Sequence, residues 1–193
     1  YLVDFEAEPI AQRMPIDSRL YMAPSWSPRR DKMGILRERD DYRHSLMIGD
    51  VDGQKAELVM EFDGSGAFGW SPDGESFALT REPQGESRFY KGLWQVFFDG
   101  TERQLVDDLV LAFFWSPTGK EIAYVTTSEA AEGSVRWGLA NVETGAARYL
   151  SDFRPTEEQL NSFMFFDQYV QSHNPWSSDR TWLVYAGVLG RQE

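Results

Sequence analysis

The chain has 193 residues, 15% of them aromatic, with no cysteine and a formal charge of −12 from 31 acidic and 19 basic side chains. Zero cysteines exclude disulfides and thiol catalysis, and the acidic balance argues against nucleic acid as a partner, whose binding draws largely on counterions released at basic contacts. No apolar run approaches the ~20 residues that a helix needs to span a bilayer, so no transmembrane segment is expected here.

Residues 1–19 read as an N-terminal segment in which Tyr1–Phe5 can serve as a closing strand. The chain starts at Tyr1 without methionine or a signal-peptide pattern, which reads as a processed or excised N-terminus. From residue 20 a unit repeats. A weak first copy, Pro24-Ser25-Trp26-Ser27-Pro28, carries Arg29-Arg30 where the later copies place Asp73-Gly74 after Trp70-Ser71-Pro72 and Thr118-Gly119 after Trp115-Ser116-Pro117. The last copy is Trp176-Ser177-Ser178-Asp179. Trp26 and Trp70 are 44 residues apart, Trp70 and Trp115 are 45 apart, and Trp115 and Trp176 are 61 apart. A period of about 40–45 residues is the length of one four-stranded propeller blade.

Each copy predicts a hairpin: an apolar strand ends at Trp-Ser, proline takes a favoured turn position, and Asp-Gly or Thr-Gly supplies the reversal. Third strands over Leu46–Gly53, Leu93–Gly100 and Val135–Gly145 close on a second turn, and fourth strands follow at 57–60, 103–106 and 147–150. The blades are therefore expected over 20–64, 65–108 and 109–151, with the first hairpin of a fourth over 173–190 and an insertion over 152–172. Such a unit finds its core only against its neighbours. The fold class is all-β, a β-propeller of four-stranded antiparallel blades with about three and a half blades present. Propellers typically close with four to eight. The chain thus reads as a fragment of a larger propeller, or as a four-bladed ring closed by Tyr1–Phe5.

The Trp-Ser-Pro-Asp-Gly phrase at Trp70–Gly74, followed by a third strand ending in Asp99-Gly100, resembles the repeat of TolB-like (WD40-like) propellers. The same repeat is found in the propeller domain of prolyl oligopeptidase-type peptidases and in oligogalacturonate lyases. The resemblance covers roughly residues 20 to 190, and it assigns structural roles to Trp26, Trp70, Pro72, Asp73, Gly74, Trp115, Pro117, Gly119 and Trp176. It implies a scaffold or platform for protein or ligand binding, and a periplasmic or extracytoplasmic location. The alternative it leaves open is the substrate-gating propeller of a larger prolyl oligopeptidase-type hydrolase. That hydrolase would need a Gly-x-Ser-x-Gly elbow outside this chain, since Gly74-Glu75-Ser76-Phe77-Ala78 lacks the last glycine. The lyases' metal site is histidine-rich, and two histidines cannot reproduce it. No catalytic residue, metal site or cofactor is expected.

In a four-stranded meander, the connections between second and third strands and those between blades share one face. Here that face holds every long segment: 38–44, 81–92, 127–134 and the insertion. Binding residues concentrate on loops carried by a rigid scaffold, so this decorated face is the candidate. Within the insertion, Thr156 is placed to cap a short helix, with Glu157 and Glu158 at the positive end of its dipole. The binding candidates are Phe163, Phe165, Phe166, Asp167, Tyr169, Gln171 and His173. They form a lid or docking element for a protein partner, or alternatively the phenylalanines pack down as a plug. His44 is expected to be solvated in its charged loop, and Trp94 and Trp137 to be core. Asp50-Val51-Asp52-Gly53 is expected to be a turn, since the distal ligands of a calcium loop are missing.

Overall fold

A computed structural model describes residues 2–3, 11–12, 19–39, 41–52, 54–83, 90–170, 174–179 and 181–189. A short pair, β1 (Leu2–Val3) with β2 (Ala11–Gln12), precedes the repeats. Leu2 pairs with Gln12 and Val3 with Ala11, and Tyr1, Asp4 and Phe5 lie outside the described residues. The first blade comprises β3 (Ser25–Trp26), β4 (Lys32–Glu38), β5 (Arg43–Asp50) and β6 (Ala56–Asp63). The second comprises β7 (Gly66–Trp70), β8 (Ser76–Arg81), β9 (Lys91–Phe97) and β10 (Glu102–Leu109). The third comprises β11 (Ala112–Trp115), β12 (Glu121–Thr127), β13 (Val135–Asn141) and β14 (Ala147–Pro155). Within each sheet the strands follow chain order and pair antiparallel, which is the meander of a propeller blade.

The serine after each tryptophan closes the hairpin. Ser27, Ser71, Ser116 and Ser177 donate their backbone N–H to the carbonyl five residues on, at 2.8, 2.9, 2.8 and 2.9 Å. Each serine Oγ accepts the N–H of that same residue, at 3.4, 3.0, 3.1 and 2.9 Å. Gly74 and Gly119 take φ of +71° at the reversal, and Arg30 holds the same position in the first copy at φ 61°. The left-handed conformation costs an L-residue roughly 1–2 kcal/mol, so Arg30 is the strained member of the series.

Alternation along the strands gives each blade two apolar faces. Phe68, Trp70, Phe77, Leu79 and Val96 pack with Leu36, Leu46, Val59 and Phe62 of the first blade, while Ala67, Ala78 and Leu93 join the core of the third. The tryptophans tie one blade to the one before. Trp70 Nε1 donates to the Ser25 carbonyl at 3.2 Å, Trp115 Nε1 to the Gly69 carbonyl at 3.3 Å, and Trp176 Nε1 to the Phe114 carbonyl at 3.1 Å. Each acceptor immediately precedes the tryptophan of its own blade. Trp26 stands apart: it is 46% exposed, against 7% for Trp70 and 9% for Trp115, and it makes no such bond among the described residues. Further ties join the second and third blades. Arg103 reaches the Val142 and Glu143 carbonyls, and Asp108 accepts from the hydroxyls of Tyr124 and Tyr149 at 3.1 and 3.0 Å.

The fourth strands run longer than the sequence suggests, because each blade's outer pairing shifts register: between Leu46 and Met47, between Gln104 and Val106, and between Trp137 and Gly138. A bulge of this kind bends the outer strand and extends it past a simple residue count. The third blade therefore runs to Pro155, and the insertion begins at 156 rather than 152. The fourth hairpin is reduced to a bridge between Trp176 and Leu183. Beyond it, β15 (Gly187–Leu189) leaves that hairpin and pairs with the end of β14, Leu189 opposite Phe153 and Gly187 opposite Pro155. Gly187 permits this approach, since a Cβ there would lie 2.6 Å from the Arg154 carbonyl oxygen.

Replacing Trp115 with Ala is expected to lower unfolding free energy by about 3–5 kcal/mol, through the cavity left between two blades. Replacing it with Phe, which keeps most of the ring volume and removes the N–H, should cost about 1–2 kcal/mol. Urea denaturation checks both; a Trp115→Ala loss below that of Trp115→Phe would contradict the inter-blade role.

Candidate functional site

The insertion folds as α1 (Glu157–Met164) and α2 (Phe166–Tyr169). Thr156 caps α1, its side chain accepting the Gln159 N–H at 3.3 Å, with Glu157 and Glu158 in the first turn where the helix dipole favours acids. Phe163 and Phe166 point down. Phe163 is 2% exposed and meets Trp137 and Phe153 edge-on, at 6.1 and 6.4 Å between ring centroids. Phe166 is 1% exposed and meets Phe113 and Phe114 at 4.9 and 5.5 Å. As binding candidates these two are corrected: they are core side chains, and a surface partner cannot reach them.

What they hold up is different. Leu160, Met164, Phe165 and Tyr169 are exposed on the outer side, Phe165 by 51%. Leu160 and Met164 are one helical turn apart and share a face, which makes a short apolar strip flanked by acids. Gln171 and His173 lie outside the described residues. Sequence reasoning missed Leu160 and did not separate Met164 from its neighbours; the 3.6-residue phase from Thr156 onward was the available signal.

Asp167 is half-buried on the inner side of α2, facing the Tyr21 hydroxyl, with Tyr90 alongside. Tyr90, the residue before β9, thus lies on the same side of the propeller as the insertion, while residues 84–89 lie outside the described residues. Val170, just past α2, lies over the innermost strand β7: its Cγ2 is 3.5 Å from where a Cβ on Gly69 would stand. Burial pushes the Asp167 carboxyl above its ordinary value, with Tyr21 partly opposing. Burial also raises Tyr90 strongly and Tyr21 to a lesser degree.

His44 is not solvated. It is 5% exposed, edge-on to Tyr21 at 4.5 Å and stacked on Phe62 at 6.0 Å, because strand alternation in β5 turns it inward. Burial lowers its pKa. Trp137 is core at 1% exposure, whereas Trp94 is half-buried and borders a groove of about 510 Å³ between the first two blades. The cations of that groove are already engaged. Arg81 stacks on Trp94 at 4.4 Å and forms a two-pronged pair with Glu102 at 3.0 Å, and Arg43 pairs with Asp41 and Glu61. Among the described residues no group of three or more His, Asp or Glu side chains is arranged to hold a metal ion, and no helix is long and apolar enough to cross a membrane.

Solved structures share this arrangement of blades. A putative TolB from Agrobacterium tumefaciens matches with a TM-score of 0.54 and 19% identity over 76% of this chain and 53% of its own. This is a TolB-like β-propeller fold. An oligogalacturonate lyase from Vibrio parahaemolyticus matches with a TM-score of 0.61 and 16% identity, over 72% of this chain and 43% of its own. In sequence, the Tol-Pal system protein TolB of Alcanivorax borkumensis is 37% identical over 65 residues, which is 33% of this chain and 15% of that protein. The chain thus spans about half the length of the Agrobacterium structure and a much smaller part of the Alcanivorax protein. No protein-family model matches.

The raised pKa of Asp167 sets a direction for stability. A carboxyl whose folded-state pKa lies above its unfolded value contributes stability that is fully present below the unfolded pKa, about 3.9, and lost as pH rises through the folded value. Asp167→Asn stays neutral throughout. It should be more stable than the parent at pH 7 and no more stable at pH 3, by urea denaturation at both. An equal effect at the two pH values would contradict the burial argument.

Proposed function

We propose that this chain is a non-catalytic interaction platform of the TolB-like type, working in the cell envelope, with the outer side of the insertion as its contact surface. The observation that carries the reading is the division of labour within one short helical segment. Phe163 and Phe166 are buried against Trp137, Phe153, Phe113 and Phe114, while Leu160, Met164, Phe165 and Tyr169 stay exposed. A rigidly anchored apolar strip loses little side-chain freedom on association, so it suits a docking surface. The chain's net charge of −12, with Glu157 and Glu158 beside the strip, favours a partner that is apolar at the centre and basic at its rim. Likeness to TolB supports the envelope location.

The test uses a photo-reactive side chain in place of Phe165, and separately in place of exposed Thr144 on the face of tight turns, in the cell of origin. Adducts are expected from position 165 and not from position 144. With the partner purified, Phe165→Ala combined with Tyr169→Ala should weaken binding by about 1–4 kcal/mol if these are anchors. Equal adducts from both faces, or unchanged affinity of the double variant, would remove the docking assignment. Fractionation with the cytosol would remove the envelope assignment.

A further inference from the structure

With no cysteine in the chain, its sulfur is confined to six methionines. Met22 and Met33 are 7% and 3% exposed, and Met47 and Met60 are partly buried against the apolar clusters of the first blade. Met14 lies outside the described residues. Met164 is different. It is 46% exposed and ends α1, with exposed Leu160 one turn before it and exposed Phe165 directly after it. Among the described residues it is the only exposed methionine. Susceptibility of a thioether to oxidants follows its access to solvent, so Met164 is the sulfur that a dissolved oxidant meets first.

Oxidation at this position leaves the anchors of the insertion untouched. Phe163 and Phe166, on either side of it in sequence, hold the helices on Trp137, Phe153, Phe113 and Phe114, and Thr156 caps α1 from the other end. None of these contacts uses the Met164 side chain. A sulfoxide at Met22 or Met33 would instead set a polar oxygen among buried apolar groups, at the cost of an unmet acceptor. At Met164 the same change turns a flexible apolar side chain into a polar one in the middle of the Leu160, Met164 and Phe165 strip.

We propose that Met164 is a site of reversible oxidation by a hydroperoxide-class oxidant, which switches the exposed strip of the insertion from apolar to polar while the propeller stays folded. The sulfur lone pair attacks one oxygen of the peroxide as the O–O bond breaks. That oxygen stays on sulfur as the sulfoxide, and the other leaves as water after taking up the proton. Sulfur is oxidised by two electrons and the peroxide is reduced by two. The sulfoxide remains in solvent, within reach of the reductases that return it to the thioether. The effect on docking rests on the platform reading; the selectivity for Met164 does not.

The first measurement is peptide mass spectrometry of the folded chain during exposure to hydrogen peroxide, with Met14 followed on its own peptide. Met164 should gain oxygen on the order of 10-fold faster than Met22 or Met33, whose sulfurs become accessible only through opening of the fold. The urea midpoint should stay unchanged once Met164 is oxidised. Oxidation of Met22 or Met33 at the rate of Met164, or a fall in the midpoint in step with Met164 oxidation, would overturn the proposal. The second measurement is the yield of adducts from a photo-reactive side chain at position 165 in the cell of origin, before and after peroxide. It should fall several-fold, return when a methionine sulfoxide reductase acts, and lose this response to peroxide in Met164→Leu. A response of equal size in Met164→Leu would place the oxidation elsewhere and overturn the switch. Adducts missing before any peroxide would sink the platform reading and the switch with it, whereas slow oxidation of Met164 sinks this inference alone.

Discussion

One hydrogen bond organises this propeller: the indole N–H of a tryptophan at the end of an innermost strand, given to the backbone carbonyl just before the tryptophan of the preceding blade. It forms at 3.2, 3.3 and 3.1 Å for Trp70, Trp115 and Trp176. A buried indole has a single polar atom, and leaving it unmet, as at Trp137 Nε1, costs more than the bond itself returns. Here the acceptor is a main-chain atom at a fixed point of the neighbouring blade. The side chain that fills the inter-blade space also sets how one blade lies against the next. Trp26 shows the dependence from the other side: with no such acceptor among the described residues, it is nearly half exposed.

The serine beside each tryptophan holds that geometry from the other end. By bridging the hairpin with both its backbone N–H and its hydroxyl, it fixes where the second strand begins relative to the tryptophan. The residue just past the tryptophan's cross-strand partner, Gly34, Ala78 or Ala123, then takes the same place in every blade. The turn tolerates Arg30 where glycine stands elsewhere because the bridge at Ser27, reinforced by its hydroxyl's bond to Asp31 at 2.7 Å, is intact.

Much of this was legible in the chain. Tryptophan spacing announced the blades, and Thr156 with two glutamates announced a helix, because both are local patterns. The serine bridge is equally local, yet it went unread: serine in a turn is common, and its five-residue reach shows only in three dimensions. The outer-strand bulges were illegible for a related reason, since a register shift leaves no mark on composition. His44 was misjudged from its charged neighbours, though the alternation of β5 decides its direction. The sorting of Phe163 and Phe166 from Phe165 depends on where Trp137 and Phe113 lie beneath the helices, and β15 depends on the free edge of β14. Both are tertiary facts.

For function, the scaffold matters chiefly as a rigid support. The trimmed face carries tight turns, while the other carries the insertion, whose buried aromatic pair locks an exposed apolar strip in place over the blades. The whole account stands on the inter-blade indole bond, and amide-type exchange of the indole protons measures it directly by NMR. The indole N–H groups of Trp70 and Trp115 are predicted to exchange only through opening of the fold, orders of magnitude more slowly than that of Trp26. Exchange of Trp70 and Trp115 at the rate of Trp26 would contradict it.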